Sequence, residues 1–261
     1  MDIHKPKAAH SWREFLTEIG TIICGILIAL GLEQAIEAMH WRHMTESGEE
    51  RLRGEIQGNL ANSYGRLVLK DCYNARLTEV RDALLKPGVW KGMPVDMTAP
   101  AGSKVRVSPM QAAGILTSAA PPVYLPWFTL WPDDAWETAR GAGISLHLKP
   151  DRAAEYARLY RSFSSLQESA NNEFQLVARL SPLSLTRALS ASDRTIYLNI
   201  IGELNFENIK AAAASNSTIG AADHMGIRLQ RKAANALVDR FRHDPRSVHC
   251  VEPVTIPTAD N

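Results

Sequence analysis

The sequence predicts an all-α protein: one transmembrane helix near the N-terminus, then a helical bundle interrupted by a long Pro- and Gly-rich excursion. Three observations carry this. An uncharged apolar run, Ile19 to Leu32, stands close to the start of the chain. Beyond it, apolar residues recur at three- and four-residue spacing among charges, as in Leu52, Ile56 and Leu60. Convincing runs of alternating apolar and polar residues are absent.

The apolar run alone is short, about 21 Å as a helix against the roughly 30 Å of a bilayer core. Extended to Phe15–Met39 it reaches about 37 Å, with Glu18, Glu33 and Glu37 near its ends at head-group depth. Trp12 and Trp41 flank it about 43 Å apart along a helix and suit the two membrane interfaces. Two alternatives stay open. A buried core helix would need a large domain wrapped around it. A cleavable export signal has its basic residues in Lys5, Lys7 and Arg13 and a small-residue site at Ala29–Gly31, but Glu18 interrupts its apolar run. Lipid attachment at Cys24 fails, because Ile23 stands where a small residue is required.

The Lys and Arg bias, though slight, puts residues 1–14 in the cytoplasm. Residues 15–39 then span the inner membrane, 40–244 form a periplasmic helical domain, and 245–261 are a C-terminal tail. In that compartment Cys72 and Cys250 are candidates for a disulfide, which would close a long loop for roughly 5 kcal/mol by chain entropy. Two unpaired thiols are the alternative.

At 100° per residue, Glu14, Glu18, Thr21, Gly25, Ala29 and Glu33 share one face of the span. Gly25 and Ala29 form a small-xxx-small pair, a contact face for a membrane-protein partner or a homo-oligomer. Glu18 is read as interfacially solvated.

Helical spacing continues past the span to Lys86-Pro87-Gly88, with a kink expected near Ser47-Gly48. Pro87 to Pro132 reads as the excursion. A helix then opens at Asp133 and Asp134 and stops at Gly141 and Gly143. The next starts at Pro150, an allowed first-turn position, and runs to about Leu180. A short helix follows Ser181-Pro182 to about Ser190. A long one covers Asp193 to Ala214 with Ile196, Ile200, Leu204 and Ile209 on one face. The last, Ala222 to His243, turns Ile227, Leu229, Ala233, Leu237, Val238 and Phe241 inward.

Composition narrows the function. The charge is balanced, 29 Lys and Arg against 28 Asp and Glu, so no footprint for nucleic acid exists. No Cys/His spacing suits a metal, no cofactor fingerprint is present, and phosphate loops, nucleophile elbows and HExxH are missing. The densest chemical feature is PPVYLPWFTLWPDDAWE. Its Tyr124, Trp127, Phe128, Trp131 and Trp136 beside Asp133, Asp134 and Glu137 could line a pocket for a cationic or apolar ligand, or plug the open end of the bundle.

The run EFLTEIGTIICGILIALGLEQAIEAMHWR and the later DDAWETARGAGISLHLKPDRAAEYARLY together resemble a group of uncharacterised bacterial single-span membrane proteins. The resemblance covers about the first 45 residues and 133–160. It implies an envelope address and a helical extracytoplasmic part, and carries no activity.

The function expected is a tethered periplasmic domain that binds a partner protein or small ligand without catalysis. An envelope enzyme working at 124–137 and a structural spacer are the alternatives.

Overall fold

The computed structural model describes residues 11–93, 123–126, 129–243 and 256–259. It is mostly helical, with one long apolar helix at the N-terminus. The excursion between 94 and 122, Trp127 and Phe128, and most of the tail including Cys250 lie outside the described residues.

Helix α1 spans Trp12–Val68 without interruption, 57 residues or about 86 Å. Ser11 caps it, its Oγ accepting from Glu14 N at 3.3 Å. The kink expected at Ser47-Gly48 does not occur. Gly48 is instead a contact point: a Cβ there would lie 3.0 Å from Ile144 Cγ2. The missing side chain admits a neighbour, and the i to i−4 ladder outweighs the modest helix penalty of one glycine.

Past one turn residue, Leu69, helix α2 runs Lys70–Leu85. Helices α3 (Asp134–Gly141) and α4 (Ile144–His147) follow the strap 129–133. Helix α5, Pro150–Arg179, begins with its proline in the first turn. The short helix expected to reach Ser190 is a single 3-10 turn, Ser181–Ser184. After it, strand β2 (Thr186–Arg187) pairs antiparallel with β1 (Trp90–Lys91). Gly92 makes this approach possible, since a Cβ there would meet Ser184 O at 2.7 Å.

Helix α6, Ala191–His224, is longer than its spacing suggested because a reciprocal Ser190–Asp193 capping box starts it and Gly226 at φ +70° ends it. Gly226 also divides the helix expected from Ala222 to His243. After it come β3 (Leu229–Gln230), parallel to β4 (Thr258–Ala259), and then α7, Arg231–His243. These two-residue ladders are the strands of an otherwise helical molecule.

The core lies where the second half of α1 meets α2, α5 and α6. Leu52, Ile56 and Leu60 pack there with Leu77, Val80, Tyr156, Leu159, Phe163, Ile200 and Leu204. Phe163 is wholly buried, a site where truncation to alanine costs about 3–5 kcal/mol. Ile196 and Ile209, assigned inward with Ile200 and Leu204, are half exposed at 50% and 51%. Ile200 and Leu204 lie on the buried face, Leu204 about 140° round the helix from Ile209, whereas Ile196 is about 40° from Ile200 and stands at the edge of that face in the second turn of the helix. On α7, Ala234 rather than Ala233 is buried, with Leu237 and Phe241.

Candidate functional site

The first half of α1 is bare. Its most apolar 18-residue window has a mean hydropathy of 2.1, and none of it is covered by the rest of the described protein. That removes the reading as a core helix. Length and composition suit a membrane anchor. Glu18, Thr21, Gly25, Ala29 and Glu33 are all exposed, and a Cβ on Gly25 would meet nothing within 4 Å. Thr17 Oγ1 and Thr21 Oγ1 donate back to the carbonyls of Arg13 and Thr17 at 2.9 and 2.8 Å, satisfying themselves without a partner helix.

Trp41 marks the end of this bare half. Its ring stacks on His147 at 3.7 Å between centroids. Leu146 beside it is 84% exposed. The proposed interfacial tryptophan thus also buttresses the α3–α4 corner.

The second half of α1 carries polar side chains inward at helical spacing, and each takes a particular load. Glu55 accepts from Tyr160 Oη at 2.7 Å and from Ala135 N, in the first turn of α3, at 3.0 Å. Asn59 Nδ2 donates to Pro132 O and Asn62 Nδ2 to Leu130 O, both at 2.8 Å. Ser63 Oγ receives Trp131 Nε1 at 3.3 Å, while Trp131 N donates to Gln167 Oε1 at 2.9 Å. The strap 129–133 and the first turn of α3 are therefore tied to α1 by backbone and side chain alike.

This settles where the aromatic and acidic residues go. Tyr124 and Trp131 are buried, and Trp136 is half-buried with its ring stacked on Tyr160 at 5.5 Å. Asp133, Asp134 and Glu137 are exposed, and Glu137 pairs with Arg140 at 2.9 Å. Among the described residues the rings of Tyr124 and Trp131 turn into the protein while the three carboxylates turn outward.

Deeper in, Arg66 forms a buried ion pair with Glu173 of α5. Arg66 Nη2 also donates to Asn208 Oδ1 of α6 at 3.1 Å, and Asn208 Nδ2 donates to Lys70 O at 3.1 Å, at the start of α2. The guanidinium lies 4.8 Å from the Tyr73 ring centroid. Burial works against the Arg66 charge, but Glu173 outweighs it and holds the guanidinium above its ordinary value. Burial pushes the Glu173 carboxyl up, opposed by Arg66. Burial likewise raises the Tyr124 phenol, whose Oη lies beside Arg66 without a well-formed hydrogen bond. Nearby, Glu207 is held below its usual range: burial opposes the charge, but Lys210, Ser169 and Asn172 prevail.

Chemically, this is a set of carboxylates and donors already engaged with each other, with no group of three metal-ligating side chains among the described residues. Sequence reasoning missed it. The signal was present in Glu55, Asn59, Ser63 and Arg66, which share one side of α1 with Leu52, Ile56 and Leu60.

No protein-family model, curated protein or solved structure matches the chain.

Proposed function

We propose that this is a single-pass inner-membrane protein, cytoplasmic over residues 1–14 and membrane-spanning over 15–39. Residues 40–244 then form a periplasmic helical bundle that binds a partner protein or small ligand without catalysis. One observation carries the reading: the bare apolar half of α1 and the core of the domain belong to the same unbroken helix. Such a helix fixes the domain rigidly to the bilayer and leaves no hinge between them. A spacer fits less well, because the second half of α1 ends inside its own domain rather than standing free. The engagement of Glu55, Arg66 and Glu173 by structural partners weighs against catalysis there.

The Gly25–Ala29 face is the proposed contact for a second membrane helix. The Cys72–Cys250 bridge belongs to the same reading, and the burial of Cys72, against the exposure of Cys24, supports it. A periplasmic bridge gives a mobility shift on reduction that Cys72→Ser abolishes.

The topology is tested by fusing after Asn261 a reporter that is active only outside the cytoplasm, then fractionating the cells without detergent. Activity in the membrane fraction is expected. Full-length protein in the aqueous fraction, or a reporter active only in the cytoplasm, sinks the proposal.

A further inference from the structure

From Pro132 to Glu173 the chain descends along α1 toward the bare half and climbs back. On the way down Asn59 donates to Pro132 O, Ala135 N donates to Glu55, Ile144 lies against Gly48, and His147 stacks on Trp41. On the way up Arg152 meets Glu49, Tyr160 meets Glu55, and Glu173 meets Arg66. The α3–α4 corner is thus the low point of this path. Helix α6 stops higher, where His224 and the Met225 carbonyl meet Glu155 and Arg152.

Trp41 lies two residues, about 3 Å, past Met39 at the end of the proposed span. His147, stacked on Trp41, and Leu146 beside it therefore stand at head-group depth. Three contacts hold them there. Gly143 turns the chain at φ +74°, so close to α1 that a Cβ on it would lie 3.8 Å from Trp41 Cη2. Ile144 is buried against Gly48, and the His147 stack closes the corner at 3.7 Å. Leu146 is left 84% exposed, more than any large apolar side chain of the span itself. Leu85, Val89 and Leu185 are exposed as well, but they lie beyond Arg66, at least about 38 Å from Trp41 along α1. Depth, rather than exposure, sets Leu146 apart.

We infer that the α4 turn is a second membrane foothold, with Leu146 inserted among the lipid head groups and upper acyl chains beside the span. The inference rests on the membrane reading above. Continuity names lipid as the occupant. One groove is lined by Gln34, Glu37 and Ala38 of the span, then by Trp41 and Thr45, then by His147 of α4, so lipid that bathes the span reaches α4 without a break. Charge decides what kind of contact this is. Arg42 in the groove is already paired with Glu46 at 3.0 Å, and Glu37 adds a further carboxylate, so the lining does not select anionic head groups. The contact is apolar insertion. Lys149, exposed two residues past His147, has the reach to meet head-group phosphate.

A second foothold does what one span does not. A lone helix sets the height of its domain but leaves the tilt and rotation of the whole rod free. A contact to one side of α1 fixes both, and holds the domain over the bilayer on the Trp41 side. Gly25 lies about 160° round α1 from Trp41, so the proposed helix-contact face stays clear of the domain.

The test uses the full chain in a Cys24→Ser background, reconstituted into phosphatidylcholine vesicles. One introduced cysteine carries a fluorophore, and the lipid carries a nitroxide quencher either just below the head group or at the acyl terminus. The signal of the parent is subtracted. The label on Leu146→Cys is expected to be quenched at least about threefold more by the shallow nitroxide than by the terminal one, as suits insertion about 5–10 Å deep. Leu185→Cys should escape both, and Ile26→Cys should be quenched most by the terminal one. An unchanged melting temperature checks that the exposed positions 146 and 185 tolerate the label. A label at 146 that escapes both quenchers while the label at 26 is quenched overturns the foothold and leaves the anchor standing. Equal quenching at 146 and 185 overturns it too, as does quenching at 146 that appears only once phosphatidylglycerol is added. A label at 26 that escapes both quenchers sinks the membrane reading, and the foothold with it.

Discussion

The two halves of α1 solve opposite problems with one backbone. From Trp12 to about Arg42 the helix exposes Ile22, Leu27, Ile28 and Ile36, each more than 60% accessible. From Gly48 to Arg66 it buries Asn59, Ser63 and Arg66 beside Leu52 and Ile56. The first half thus turns apolar side chains outward, the reverse of a water-soluble helix, whereas the second half buries Leu52, Ile56 and Leu60 as such a helix does and adds Asn59, Ser63 and Arg66 to the buried face. Hydrophobicity alone does not say which face is inside. What decides is the solvent: lipid accepts bare apolar side chains, and a protein interior accepts polar ones that find partners.

The sharpest way to break this comparison is to leave a polar group of the inner half unpaired. Arg66→Met strands Glu173 among buried neighbours and should destabilise the domain by about 3–5 kcal/mol, read by denaturant unfolding of the purified protein. The double variant Arg66→Met/Glu173→Leu should recover most of that loss. Failure to recover would show that the pair does more than compensate itself.

Next in size is a charge placed in the outer half. Ile26→Arg adds about 2.5–3.5 kcal/mol to insertion at a span centre, and should shift protein from the membrane fraction while leaving the melting temperature of the domain unchanged. An unchanged partition would remove the contrast between the halves.

At the junction, Gly48→Leu crowds Ile144, against which even a Cβ would sit at 3.0 Å. Overpacking of this kind should cost about 1–3 kcal/mol, and a neutral melting temperature would show the α3–α4 corner to be loosely held.

The smallest effect is at the start of α6. Hydrogen bonds from the Ser190 backbone N–H and hydroxyl hold the Asp193 carboxyl below its ordinary value. Its stabilisation is therefore present above the ordinary carboxylate pKa and is lost as pH falls through the lower, folded one. Asp193→Asn should flatten the acid limb of the stability curve slightly, and coincident limbs would discount the capping box.

Much of the helical architecture was legible. Pro150 announced α5, and the chain from Leu52 to Leu84 carried its core positions openly at helical spacing. Ile196 and Ile209 were misread because apolar character was taken for burial, whereas α6 buries Asn208 and Ser215 and exposes those two isoleucines. Gly226 was missed because a helix cap depends on one backbone angle, which a periodic pattern does not register. The aromatic segment gave its residues but not their division, because which of Tyr124, Trp131, Asp134 and Glu137 turn inward depends on Asn59, Ser63 and Gln167 from distant parts of the chain.

By itself the sequence determined what depends on neighbours a few residues apart: the helices, the proline and glycine punctuation, and an apolar stretch long enough to cross a bilayer. Tertiary structure alone decided that the second half of α1 packs into the domain core while the first half is left uncovered by the described residues, and that Arg66 meets Glu173 across 107 positions. Those outcomes rest on which faces meet in space, and partner choice between faces is a long-range competition that local spacing does not encode.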